Sequence, residues 1–359
     1  MNNQLKNYFN GKKVLITGNT GFKGSWLTLW LKNLGAEITG YSEDVPSKPS
    51  IFSVLGLKDE INHITGDIRD YNSLKNTIEY NEPEIVFHMA AQALVRKSYL
   101  EPLKTYETNV MGTVNLLEAV RATESIKTII NITSDKCYEN KEWNYGYREN
   151  DPMGGHDPYS SSKGCSELVT AAYRDSFFNK DNYSTHKVSL ASVRAGNVIG
   201  GGDWAEDRLL PDCIMSLVEN KEIIIRSPRS LRPWQHVLDA LNGYLKLAIH
   251  MMKQGDKFNE AWNFGPTEGN IISVEELVNK IIDFWGSGTY AIKKTDNLHE
   301  ATLLKLDINK AMFLLNWKPV LSIDESLQST IDWYKSYYSN NMDMMEFTIN
   351  QINLYQKKS

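Results

Sequence analysis

The chain has 359 residues, 41% of them apolar, so it can bury a substantial core and by length divides into about two domains. Lys and Arg number 39 against 44 Asp and Glu, a net charge of −5, which argues against a nucleic-acid partner, whose footprint is a basic excess. The three cysteines, Cys137, Cys165 and Cys213, show no CxxC spacing and the seven histidines form no HxxxH pair, so neither a disulfide framework nor a metal site is expected.

The polar start MNNQLKNYFNGKK lacks the apolar core of a signal peptide, and no apolar run nears the roughly 20 residues of a membrane span. The chain therefore reads as cytoplasmic, with no membrane partner. Residues 13–17 (KVLIT) predict a buried strand. A helical pattern follows over 25–34 (SWLTLWLKNL) and stops at Gly35. Further strands are expected at 37–41, 63–67, 85–90 and 128–133, with a helix over about 102–122 between the last two. Alternating β and α with nearly continuous apolar strands predicts an α/β fold: a Rossmann-like, doubly wound parallel sheet.

The rhythm changes after about residue 185. A strand at 188–194 is followed by a glycine-rich loop over 195–203 (AGNVIGGGD), helices around 209–219, 236–253 and 274–285, and a short strand at 222–226. The expected layout is a cofactor domain over 1–185, rejoined by segments at about 188–200 and 230–255. A smaller C-terminal substrate-binding domain spans 186–335, and a terminal helix or tail spans 336–359.

Between the first strand and first helix lies Thr17-Gly18-Asn19-Thr20-Gly21-Phe22-Lys23-Gly24. Glycines at 18, 21 and 24 let the backbone approach a pyrophosphate, and the helix N-terminus supplies unpaired N–H groups and partial positive charge. Further on, Tyr159-Ser160-Ser161-Ser162-Lys163 opens a helix, and its i, i+4 spacing puts Tyr159 and Lys163 on one face. An ammonium beside a phenol lowers the phenol's pKa and makes it a base for an alcohol. Ser134-Asp135-Lys136 follows the 128–133 strand, and two charges at a strand end facing a crevice are expensive to hold there without a task.

The GxxGxxG loop and the YxxxK motif resemble the extended branch of the short-chain dehydrogenase/reductase superfamily. Four segments, 134–140 (SDKCYEN), 146–167, 194–208 (RAGNVIGGGDWAEDR) and 231–237 (LRPWQHV), resemble its nucleotide-sugar 4,6-dehydratases, in particular the CDP-glucose subgroup. Most 4,6-dehydratases read Thr-Asp-Glu where this chain reads Ser134-Asp135-Lys136, and lysine there also occurs in inverting UDP-N-acetylglucosamine dehydratases. Those enzymes and sugar-nucleotide epimerases are the alternative readings.

The resemblance implies NAD as cofactor and CDP-glucose as substrate. For the cofactor it implies Gly18, Thr20, Gly21, Phe22, Lys23 and Gly24, then Ser42 near the place of the usual ribose-binding acid, with no arginine following for a 2′-phosphate. Asp67 and Ile68 would lie at the adenine, Ala90, Ala91 and Gln92 at a strand end beside the nicotinamide half, and Asn109, Tyr159 and Lys163 complete the set. Catalysis would fall to Ser134, Asp135, Lys136, Tyr159 and Lys163, and diphosphate binding to Asn197, Arg232 and Arg208, with Arg96 and Lys97 near the sugar. It also implies a homodimer, the helix at 102–122 and the YxxxK helix pairing with their copies. Val110, Val114, Leu117, Ala171 and Ala172 suit either that interface or a core.

Overall fold

The strands β1 (Lys13–Thr17), β2 (Glu37–Ser42), β3 (Asn62–Thr65), β4 (Ile85–His88), β5 (Thr128–Ile132) and β6 (Ser189–Ala195) follow one another with helical crossovers. β4, β5 and β6 are buried at every residue, which is why they read as unbroken apolar runs and not as alternating ones. The computed structural model describes residues 2–293 and 303–359. Beyond β6 come β7 (Asn197–Ile199), β8 (Ile223–Ile225), β9 (Leu231–His236), β10 (Ala261–Phe264), β11 (Ile271–Ser273) and β12 (Tyr290–Ile292). Seven strands form one sheet in the order β10-β6-β5-β4-β1-β2-β3, every pair parallel. The expected doubly wound sheet is present. The edge strand β10 lies far along the chain, and its short AWNF run gave no signal of that return.

The strand order reverses between β1 and β4, which opens a crevice at their C-terminal ends. Gly18, at φ +74°, follows β1 there, and a Cβ on it would stand 2.6 Å from the Ala90 nitrogen beyond β4. β4 stops at His88, two residues short of expectation. The Met89 amide still reaches the Thr17 carbonyl at 3.0 Å, and the Ala90 amide turns to the Thr17 hydroxyl at 3.3 Å, which also bonds His88 Nδ1 at 2.7 Å. Ala90, Ala91 and Gln92 therefore lie in the crevice loop and not on the strand. β3 likewise ends at Thr65, so Gly66 and Asp67 are loop residues, and Asp67 is pinned by Arg69 at 2.5 Å.

A short helix, Asn2–Phe9, precedes β1, and the helix after β1, Phe22–Asn33, starts three residues before the predicted position, because the Ser25 amide already reaches the Gly21 carbonyl at 2.8 Å. The predicted helix over 102–122 is three consecutive pieces, Pro102–Tyr106, a wide π turn at Glu107–Met111, and Gly112–Arg121. Such a turn inserts a residue into the helical rise and re-aims its side chains, here turning Asn109 inward.

Away from the large sheet, β11-β9-β7 form a three-stranded sheet and β12-β8 a parallel pair. The helix Ile323–Ser339 starts on a Ser322–Glu325 capping box, well before the expected tail. It also seats the glycine-rich loop, with Trp333 filling the space a side chain at Gly201 would need and the Tyr334 hydroxyl bonded to the Asp203 backbone. The last helix, Met344–Lys358, returns to the large sheet's helices, where Trp333 Nε1 donates to Thr348 Oγ1 at 2.9 Å and Tyr355 donates to Asp239 at 2.8 Å. No described helix is long and apolar enough to cross a membrane.

Candidate active site

A single cavity of about 2220 Å³ runs from the β1–β4 crevice to β9. That is more than twice the ~300–1,000 Å³ that holds one small ligand, so it has room for two. The loop Gly18–Gly24 forms one wall. Gly21 caps the Phe22–Asn33 helix without a side-chain hydrogen bond, which leaves N–H donors turned to the cavity, and a Cβ on Gly24 would overlap the Gly18 carbonyl. This uncapped N-terminus suits a dinucleotide pyrophosphate.

At the end of β2, Ser42 Oγ donates to Asn19 Oδ1 at 2.8 Å and accepts from the Thr20 amide at 3.4 Å. Asn19, unassigned by the sequence reading, thus ties the glycine loop to the ribose position and also meets His63 Nδ1 at 3.2 Å. Asp67, Ile68, Ala90, Ala91 and Gln92 line the same wall. Asn109 does not line it. Its carbonyl accepts from the Gln92 amide at 2.8 Å, and its two N–H groups reach the Gln92 carbonyl and Ser162 Oγ at 3.0 and 2.8 Å. Through these bonds Asn109 holds the Gln92 loop against the YxxxK helix.

That helix, Pro158–Ser176, is capped by Asp157, which accepts from the Ser160 amide at 2.9 Å, with Pro158 in its first turn. Tyr159 and Lys163 face inward and are almost wholly buried. Burial pushes the Tyr159 phenol up to about 12. Its bond with Ser134 and the Arg208 charge pull it down, and Asp135 pushes it up. Lys163 is brought down to about 8, by burial first and then by the charge of Lys23, and its ammonium donates to the Ile132 carbonyl at 3.3 Å. Burial is the largest influence on Tyr159, and Ser134 and Arg208 favour its phenolate.

Ser134, Asp135 and Lys136 form the turn after β5. Ser134 Oγ donates to Asp135 Oδ1 at 2.9 Å, and burial raises the Asp135 carboxyl above its ordinary range against the opposing charge of Lys136. Gly196 makes room for it, since a Cβ there would stand 2.7 Å from Asp135 Oδ2. Lys136 lies half-buried at the cavity. On the far wall stand Asn197, Arg208 and Arg232, with Arg208 paired to Asp203 at 2.9 Å and Arg232 partly exposed on β9. Arg96 also lines the cavity, paired with Asp207 at 3.4 Å, and Lys97 is beside it.

Two further residues beneath this floor escaped the sequence reading, Glu167 and Arg194, a buried ion pair at 2.8 Å. The signal was present, since an arginine closing the 188–194 strand (VSLASVR), predicted to be buried, needs a buried partner, and Glu167 falls four residues after Lys163 on the inward face.

The lysine shift has a stability consequence. Below pH 8 Lys163 is protonated in both states, and the folded protein bears the burial penalty. The penalty fades as pH rises from 8 to 10.5 and the folded form releases its proton first. Lys163→Met is expected to raise unfolding free energy by up to about 3 kcal/mol at pH 7, and by much less near pH 10. Urea unfolding at the two pH values checks this, and a gain independent of pH contradicts it.

The family model described as GDP-mannose 4,6 dehydratase matches residues 15–330. A CDP-glucose 4,6-dehydratase from Salmonella typhimurium is 54% identical over 333 residues, covering 92% of this chain and 93% of the relative. Among solved structures, the epimerase Mth375 from Methanothermobacter thermautotrophicus superposes with a TM-score of 0.78 at 22% identity, covering 95% and 97% of the two chains. A dTDP-glucose 4,6-dehydratase from Bacillus anthracis, in complex with NAD, gives 0.75 at 21% identity over 92% and 98%.

Proposed function

Since the chain belongs to the GDP-mannose 4,6-dehydratase family, we propose that it is an NAD-dependent nucleotide-sugar 4,6-dehydratase that acts on CDP-glucose. The observation that carries the reaction class is the Ser134–Lys136 turn beside Tyr159 and Lys163. It adds a second acid and a second base to the oxidation pair, and a C4 epimerase has no use for either. The 54% identical relative supports the substrate.

NAD, when bound, supplies a reversible two-electron acceptor. The glycine loop with Thr20, Phe22 and Lys23 would hold its pyrophosphate, Ser42 the ribose, Asp67 and Ile68 the adenine, and Ala90 to Gln92 the nicotinamide half. Tyr159 takes the proton of the sugar's C4 hydroxyl as that carbon is oxidised, and Ser134 hydrogen-bonds the forming ketone oxygen. An ionised Asp135 opposes the Tyr159 phenolate, so the burial that raises the Asp135 carboxyl favours both steps. The ketone acidifies the C5 proton, which Lys136 removes. Asp135 gives its proton to the C6 hydroxyl, which leaves as water. Reduction at C6 and protonation at C5 yield the 4-keto-6-deoxy sugar nucleotide, a net loss of one water.

The diphosphate needs cationic and N–H donors, and Arg232 with Asn197 supports that role. Incubation with CDP-, UDP-, dTDP- and GDP-glucose and UDP-N-acetylglucosamine, followed by mass spectrometry, is expected to show loss of one water, with the highest kcat/KM for CDP-glucose. Unchanged mass with every sugar would overturn the dehydratase reading, and a clear preference for another base would overturn the substrate. Arg232→Ala is expected to weaken all the sugars together and keep their order.

The same reading includes a homodimer in the cytoplasm. Leu100, Leu103, Met111, Leu168 and Phe177 are exposed on the helices of 95–121 and 158–176, which supports an isologous helical interface. Leu117 belongs to the core, Val110, Val114 and Ala171 are half-buried at its edge, and Ala172 is exposed. Three free cysteines accord with a reducing compartment.

A further inference from the structure

The Glu167 carboxylate accepts from three buried donors, Thr133 Oγ1 at 2.5 Å, Ser192 Oγ at 2.7 Å and Arg194 Nη2 at 2.8 Å. Arg194 Nη1 in turn donates to the Tyr138 hydroxyl at 2.5 Å and to the Glu149 carbonyl at 2.9 Å. The Tyr138 ring lies 4.8 Å below the guanidinium, and its hydroxyl donates onward to Asn263 Oδ1 at 2.8 Å. Thr133 immediately precedes Ser134, and Tyr138 immediately follows Cys137. Both ends of the acid–base turn are thus tied to one ion pair.

Within the turn the bonds are long: Lys136 N to Ser134 Oγ at 3.3 Å, Cys137 N to Ser134 O and Tyr138 N to Asp135 O at 3.2 Å. From outside, the Gly154 amide holds it at 2.8 Å on the Cys137 carbonyl. A buried ion pair is weak evidence for stability, since desolvation offsets its attraction. Two hydroxyls spent on the flanks of a reactive turn point to orientation, where a displacement of about 1 Å can lose about a hundredfold in rate.

We propose that the Glu167–Arg194 pair is a positioning device for Asp135 and Lys136, acting through Thr133 and Tyr138 on the elimination step; this rests on the dehydratase reading above. Thr133→Val and Tyr138→Phe each remove one hydroxyl and keep the shape. Each is expected to lower kcat about tenfold with KM within about twofold. The kinetic isotope effect with C5-deuterated CDP-glucose should rise and that with C4-deuterated CDP-glucose should fall, because elimination becomes the slower step. Thr133→Ser should restore kcat. Glu167→Gln strips Arg194 of its counter-charge and should act in the same direction more strongly. If it does not fold, the two hydroxyl deletions decide the matter. Variants with wild-type kcat and isotope effects overturn the proposal, as does a lower kcat with both isotope effects unchanged, the mark of a smaller folded fraction. A wild-type protein that releases no water from CDP-glucose overturns the dehydratase reading itself and this proposal with it.

Discussion

Tyr159→Phe is expected to lower kcat at least about a hundredfold, the range for loss of a general base. The ring is only 8% exposed and the helix is capped independently by Asp157, so phenylalanine keeps the packing and the fold. What disappears is the hydroxyl whose bond with Ser134 links the helix to the turn after β5. Binding of CDP-glucose should change little, because the proposed diphosphate anchors, Asn197 and Arg232, stand apart from Tyr159 on the far wall. The measurement is kcat and Kd side by side, with circular dichroism as the fold control. Turnover near that of the wild type would remove Tyr159 from the oxidation step.

Lys136→Met is expected to produce the other large loss, and in a different step. In deuterated water the wild type should place one deuterium at C5 of the product, because Lys136 exchanges its proton with solvent before C5 is reprotonated. Methionine keeps the length and removes the base, so water loss should slow by about a hundredfold or more while C4 oxidation continues, and reduced cofactor should build up. Asp135→Asn is expected to block the same step from the acid side. Its carboxyl is buried and raised above the ordinary range by that burial, and the amide that replaces it is no acid. A Lys136→Met protein that releases water at the wild-type rate would put the C5 base elsewhere.

Much of this site was legible in order along the chain. KVLIT, the glycines at 18, 21 and 24, the Tyr159–Lys163 spacing and the paired charges at 135 and 136 are local patterns, and a local pattern follows from backbone sterics and periodicity alone. Strand ends were less legible. Past His88 the Ala90 amide turns to the hydroxyl of Thr17 on a neighbouring strand, and no window around residue 88 contains Thr17. The Glu107–Met111 turn has an ordinary helical composition. What it accomplishes, turning Asn109 onto Gln92 and Ser162, depends on segments 17 and 53 residues away.

The sequence by itself determined the doubly wound class, the crevice at the end of β1 and the residue types brought to it. Each of these rests on neighbours in the chain. Tertiary structure alone decided the rest: β10 at the sheet edge, the Ile323–Ser339 helix under Gly201, and Asn109 as a brace between Gln92 and Ser162. It also decided the charge state of the site. Burial drives Tyr159 up and Lys163 down, and burial is a property of everything packed around a group. No spacing of residues encodes it, because the low dielectric that shifts a proton is made by atoms from the whole fold.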